Sequence, residues 1–181
     1  MTDNTSLPTG AENVTWDLTH MYAGIDDPAI NGDLEQADLG ADDLDATYRG
    51  RIAGLSPNGL AELLKNYEQI VELAGKASTF AHLNWAANTS EPAHGALLQQ
   101  ITERYARLDQ KLVFLELELA GAPDDVAQVW AAAPALARYH HWLAQARLFR
   151  PHLLSEPEEK ILAEKSVTGR SAWDRFFDEF Q

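Results

Sequence analysis

The 181-residue sequence contains no cysteine. A disulfide scaffold, a thiolate zinc finger, an iron–sulfur centre and a cysteine nucleophile are thereby excluded. The absence leaves the compartment open, although it suits a reducing cytosol. No run of eighteen apolar residues occurs, so nothing reads as a membrane span. The opening stretch MTDNTSLPTGAENVTWDL has neither a basic region nor an apolar centre, so it does not read as a secretory signal. Positive charge is scarce. Fourteen Lys and Arg stand against 28 Asp and Glu, for a net charge of −14. Phosphate neutralisation drives nucleic-acid affinity, so a nucleic-acid partner is disfavoured, as is an anionic membrane surface. The acidity is uneven: residues 1–50 hold eleven acids and one base, Arg49, for a net −10, and the remainder holds a net −4. Such a stretch reads first as a solvated face and second as a wall that repels anions or attracts cations.

Catalytic patterns are missing too. There is no His-Glu dipeptide and hence no H-E-x-x-H zinc helix. No G-x-S-x-G elbow or Gly-rich phosphate loop is present. The six histidines are His20, His82, His94, His140, His141 and His152, and no two are spaced three or four apart. That is the spacing that would aim both at one metal from a helix. His140 and His141 are adjacent and point about 100° apart on a helix, so one is expected to face the core and the other water. His152 and Glu156 are four apart but straddle a helix start, which suggests a capping or hydrogen-bonding role. Glu116 and Glu118 flank Leu117. Side chains two apart diverge on a helix, so both read as solvated flanks. No catalytic, cofactor-binding or metal-ligating residue is assigned, and no cofactor is expected in this chain.

What is present is helical periodicity. Hydrophobic residues make up 45% of the chain and charged residues 23%, an ordinary globular balance. Residues 1–12 are polar and carry Pro8 and Gly10, which predicts a mobile tail. Trp16-Asp17-Leu18 and Met21-Tyr22 are expected to dock the N-terminus on the body. A long helix is predicted from Pro28 to about Arg51, capped by Asp26 or Asp27, with Ile30, Leu34, Ala37, Ala41, Leu44, Tyr48 and Ile52 on one face. Gly32 and Gly40 weaken its intrinsic propensity. Ser56-Pro57 caps a second helix. Its face runs through Leu60, Leu63, Leu64, Tyr67, Ile70, Val71, Ala74, Ala77, Ala81 and Trp85, until Asn88 to Pro92 breaks it. In the third, Ile101, Tyr105, Leu108, Leu112, Leu115 and Leu119 alternate four and three apart, a seam for side-by-side helix packing.

Gly121-Ala122-Pro123 ends that helix, and a short one follows to about Ala132. Another is predicted from Pro134 to about Phe149, with Leu136, Tyr139, Trp142 and Leu143 inward and Pro151 as its stop. Ser155 and Glu158 form a capping box for a helix holding Ile161 and Leu162. Thr168-Gly169 reads as a loop before an amphipathic segment with Trp173, Phe176, Phe177 and Phe180. No β-hairpin signal or internal repeat is found. The fold class is all-α, a bundle of long antiparallel helices with shorter C-terminal helices. Four large apolar groups in the last nine residues either pack back on the domain or serve an interface.

Several stretches together resemble the oligoendopeptidase F family. Trp16-Asp17-Leu18 with Tyr22 is similar to the family's opening. Asn66-Tyr67-Glu68-Gln69-Ile70 resembles the "YE" element of its second long helix. Residues Val113 to Leu119 resemble an F-x-x-E-L helix end. The run YHHWLAQARLFRPHLLSEPEEKILAEKSVTGRSAWDRFFDEF, Tyr139 to Phe180, is the most specific match, because it combines many fixed spacings. The family are bacterial cytoplasmic zinc metalloendopeptidases related to thimet oligopeptidase, whose two helical lobes enclose a channel that admits short unstructured peptides. The resemblance implies that residues 13–181 are the N-terminal helical lobe, framing and gating the channel. The implied partners are a C-terminal catalytic lobe of the same polypeptide, which supplies the H-E-x-x-H zinc site, and an oligopeptide substrate. A homo-oligomer through the aromatic C-terminal end is a further expectation. The chain by itself is expected to be inactive. The alternative reading is a free-standing acidic helical module that binds a protein or peptide. Exposure of the aromatic cluster around Trp173 favours a missing lobe, and burial favours the module.

Overall fold

The computed structural model describes residues 17–180, the side chains of residues 178–180 excepted. The tail predicted over residues 1–12, Trp16, and the side chain of Phe180 therefore lie outside the described residues. Among the described residues seven α-helices follow in order: α1 (Pro28–Tyr48), α2 (Pro57–Ala87), α3 (Pro92–Gly121), α4 (Asp124–Ala132), α5 (His140–Leu148), α6 (Glu156–Thr168) and α7 (Arg170–Phe180). No strand occurs among the described residues, and the all-α expectation holds.

Local chemistry sets the boundaries. The Asp27 side chain caps α1 by accepting from the Ala29 N–H at 2.9 Å. Ser56 accepts from the Gly59 N–H at 3.2 Å, and Pro57 occupies the first position of α2, where no N–H is needed. The first helix stops at Tyr48, three residues before the predicted end. Gly50 turns the chain with φ +75°, a left-handed conformation that favours glycine. Ile52 then sits fully buried in a short 3₁₀ turn (Ile52–Gly54) and not on α1 itself. The predicted helix from Pro134 to Phe149 is in fact two pieces. Pro134–Tyr139 winds as a 3₁₀ helix, and only His140–Leu148 is α-helical.

The long helices α1, α2 and α3 pack on one another around the core, which also takes Trp130, Leu136, Tyr139 and Leu143 from the following elements. Ile30, Leu34, Ala37, Ala41 and Leu44 of α1 face Leu60, Leu63, Leu64, Ile70, Ala74 and Ala77 of α2. The seam residues Ile101, Leu108, Leu112, Leu115 and Leu119 of α3 are all buried. Tyr22 pins the start of the described chain. Its ring meets Phe80 edge-on at 5.1 Å, and its hydroxyl donates to Asp33 at 2.8 Å. Lys76 lies 4.1 Å from the same ring centroid and 3.0 Å from Asp33. Burial and the Asp33 carboxylate push the Tyr22 phenol far above its ordinary pKa. Among the described residues, nothing beyond Leu143 is buried. The C-terminal helices α6 and α7 lie on the outside of the bundle, with α6 packed along α3 and α7 against α6.

Candidate functional site

Two surfaces carry chemistry that the core does not use. The first lies around Tyr67, about a third of the way along α2. On one side of this residue is a cavity of about 510 Å³ with Leu64, Val71, Tyr139 and Trp142 in its walls. The Trp142 ring stands 6.0 Å from that of Tyr67. Glu68 closes its edge by accepting from the Tyr139 hydroxyl and from Arg138, each at 2.8 Å. On the other side, between α3 and α6, is a narrower cleft of about 160 Å³ that holds three carboxylates, Asp109, Glu116 and Glu159.

Those carboxylates are held together by helix packing, not by a sequence motif. Asp109 and Glu116 are seven apart, two turns on one face of α3, and α6 brings Glu159 across to them. Desolvation raises the Asp109 pKa above its ordinary value. Glu116 is raised chiefly by desolvation, then by repulsion from Asp109 and Glu159. The phenols of Tyr67 and Tyr105 are raised chiefly by desolvation and then by the Asp109 and Glu116 carboxylates. The result is an aromatic pocket and an acidic cleft sharing one tyrosine wall. It can accept apolar side chains beside a cation.

The second surface is the C-terminal helical pair. The capping box that opens α6 is formed as expected: the Glu158 carboxylate accepts from the Ser155 N–H at 2.9 Å and from its hydroxyl at 2.6 Å. Gly169 separates α6 from α7 with a single residue. A Cβ there would stand 2.8 Å from the Lys165 carbonyl oxygen. On α7, Arg175 reaches Gln99 of α3 at 3.3 Å, and Ala172 and Phe176 line a cleft with His82, Trp85 and Leu98. Trp173 and Phe177, one turn apart, are 71% and 62% exposed, and the Trp173 ring meets that of Phe176 edge-on at 6.0 Å.

His140 is half-buried with Nε2 3.2 Å from the Ala133 carbonyl, and His141 is exposed, as adjacency on a helix required. Near the helix start, Glu156 has the expected hydrogen-bonding role, pairing with Arg49 at 2.5 Å and Lys160 at 2.7 Å. Glu116 and Glu118 do diverge; Glu116 is solvent-exposed, as expected of a flank, whereas half-buried Glu118 is more than one. Glu116 enters the acidic cleft. The Glu118 carboxylate accepts from the N–H groups of Gly50 and Ile52 at 2.6 and 3.3 Å. Spacing along α3 could have paired Asp109 with Glu116, but nothing in the sequence pointed to Glu159 or to the turn after α1. Among the described residues no three His, Cys, Asp or Glu side chains are grouped to hold a metal ion. No helix of the described chain is long and apolar enough to cross a membrane.

Comparison with known proteins points one way. Residues 118–180 match a family model described as Oligopeptidase F. The chain is also 29% identical over 127 residues to Oligopeptidase PepF of Bacillus subtilis strain 168. That alignment takes in 69% of this chain and 19% of the relative, so the chain spans about a fifth of the curated relative it matches. No solved structure matches it.

Proposed function

We propose, since the chain is an N-terminal domain of the oligopeptidase F family, that it serves a larger zinc-dependent peptidase as the lobe that frames and gates the substrate channel. The carrying observation is the family match over residues 118–180, which takes in α4 through α7, together with the 29% identity over most of the chain. In this reading the polypeptide cleaves short unstructured peptides in the bacterial cytoplasm, and the zinc site lies in a C-terminal catalytic lobe. The described residues offer no donor set for zinc, so no step of hydrolysis is assigned to them.

The lobe acts by exclusion and positioning. A wall beside the scissile bond keeps folded proteins out and fixes the approach of an extended peptide, which lowers the entropic part of the barrier. Closure over a bound peptide would also limit water. The Tyr67 face suits such a wall. Tyr139 and Trp142 offer flat apolar surface, and Asp109, Glu116 and Glu159 offer negative charge to a peptide's amino terminus or basic side chain. The exposure of Trp173 and Phe177 favours this reading over a self-contained binding module.

The test is peptide cleavage. The 181-residue chain, supplied with zinc and mixed oligopeptides, is expected to leave them intact, while the native polypeptide captured from its source cells cuts them and stops on chelation. Chelator-sensitive cleavage that co-purifies with the 20.0 kDa chain would overturn the assignment.

A further inference from the structure

The exposed apolar residues of this domain are not scattered. Of its twelve large exposed hydrophobics, eight fall between Leu148 and Phe177, a stretch inside the segment that matches the family model. Helix α7 is the extreme case. One side is seated, with Arg175 on Gln99 and Ala172 lining the cleft with Trp85, while Phe176 lines the rim of that cleft and stays half-exposed against the Trp173 ring. Its outer side carries Trp173 and Phe177 at the i, i+4 spacing with which an amphipathic helix anchors in an apolar groove. Single exposed apolar residues are ordinary, but large clustered aromatics mark an interface.

We infer that the outer face of α7, with Trp173 and Phe177 as its anchors, is the seat on which the downstream lobe of the same polypeptide docks. The inference rests on the functional reading above. Two observations choose the occupant. The aligned relative has about four-fifths of its length outside the match, so a large body of chain needs a contact surface on this domain. A second copy of this chain is the weaker candidate, because each carries a net charge of −14 and two such bodies repel. The docking lobe must present an apolar pocket rather than a charged one, since burying an aromatic against unpaired charge is costly.

The experiment is hydroxyl-radical footprinting, read residue by residue, on the 181-residue chain and on the native polypeptide. Trp173 and Phe177 are expected to oxidise readily in the chain alone and to lose most of that reactivity in the native polypeptide. Exposed Val129 serves as the unchanged control. Alongside it, W173E/F177E should leave the melting temperature of the 181-residue chain unaltered and lower that of the native polypeptide. Equal reactivity in both forms, or a native mass of 20.0 kDa, overturns the inference. Protection that grows with the concentration of the 181-residue chain assigns the face to a second copy and overturns it as well. Protection without peptide cleavage leaves the docking face standing and removes the peptidase reading; cleavage without protection does the reverse.

Discussion

The turn after α1 hangs on two residues. Gly50 adopts φ +75°, the only positive φ among the described residues, and open space surrounds the position of an added Cβ. Gly50→Ala therefore tests backbone strain alone, and a loss of about 1–2 kcal/mol is expected in denaturant unfolding. Opposite it, the Glu118 carboxylate receives the N–H groups of Gly50 and Ile52. Glu118→Ala leaves both donors without that partner and should cost about 1–3 kcal/mol in the same measurement. Glu116, two residues earlier, behaves differently. Its pKa is raised in the folded state, so the folded protein holds its proton more tightly than the unfolded chain. Stability then falls as pH rises through the folded pKa, because partial desolvation in the cleft and its acidic neighbours oppose the charged form. Glu116→Gln is expected to raise the melting temperature at pH 7, with the gain fading as pH drops below the unfolded pKa. A gain that persists at low pH would show that charge is not its cause.

At the scale of elements, two glycines of α1 separate propensity from packing. Gly32 has nothing within 4 Å of an added Cβ, whereas a Cβ on Gly40 would stand 2.9 Å from Ile70 Cγ1. Gly32→Ala should stabilise by about 0.5–1 kcal/mol through lower backbone entropy in the unfolded chain. Gly40→Ala gains the same term but must push Ile70 aside at about 1–3 kcal/mol, so thermal melts should rank the two variants in opposite directions from the parent.

The same close approach shows what sequence could and could not reveal. Periodicity found α1, α2 and α3 and nearly all the seam of α3, because each presents one face to a neighbour, and proline marked the starts of α1 and α2, whereas Pro92 read only as the break after α2. It missed Phe80 and Phe114, both essentially buried. Helix α2 is held by α1 and α3 at once, so its buried arc is wider than one stripe, and Phe80 fills the far edge against Tyr22. Phe114 is covered by the Arg49 guanidinium, 4.4 Å from its ring centroid. Conversely, Val71 and Tyr105 lie on the expected stripes yet are about one-third exposed, Val71 because it borders an open cleft. The 3₁₀ winding of Pro134–Tyr139 had no local marker, as Pro134 starts either kind of helix. The acidic cleft was equally hidden, because its third carboxylate, Glu159, arrives from an element 43 residues beyond Glu116 through tertiary packing alone.

For the whole molecule, burial divides the chain into a body and an arm. Every buried side chain among the described residues lies between Tyr22 and Leu143. The arm of α6 and α7 is held by the face of α3 and by surface contacts such as Arg49 with Glu156. Exposed pairs of this sort contribute little, about 0–1 kcal/mol. Ending the chain after Leu154 should therefore preserve a cooperative, fully helical unfolding transition with a modestly lower midpoint, as followed by far-ultraviolet circular dichroism. Loss of cooperativity would place α6 within the core unit after all.

The order in which these pieces appear along the chain matters to a ribosome. Helices α1, α2 and α3 are consecutive and pack on one another, so each can settle on a neighbour already made, at a synthesis rate of about 5–20 residues per second. By the time Leu143 has emerged, all the described buried side chains are available to close the body. The arm with Trp173 and Phe177 follows as the newest segment, its aromatic face still uncovered. Nascent chains at that stage should be the ones that chaperones hold.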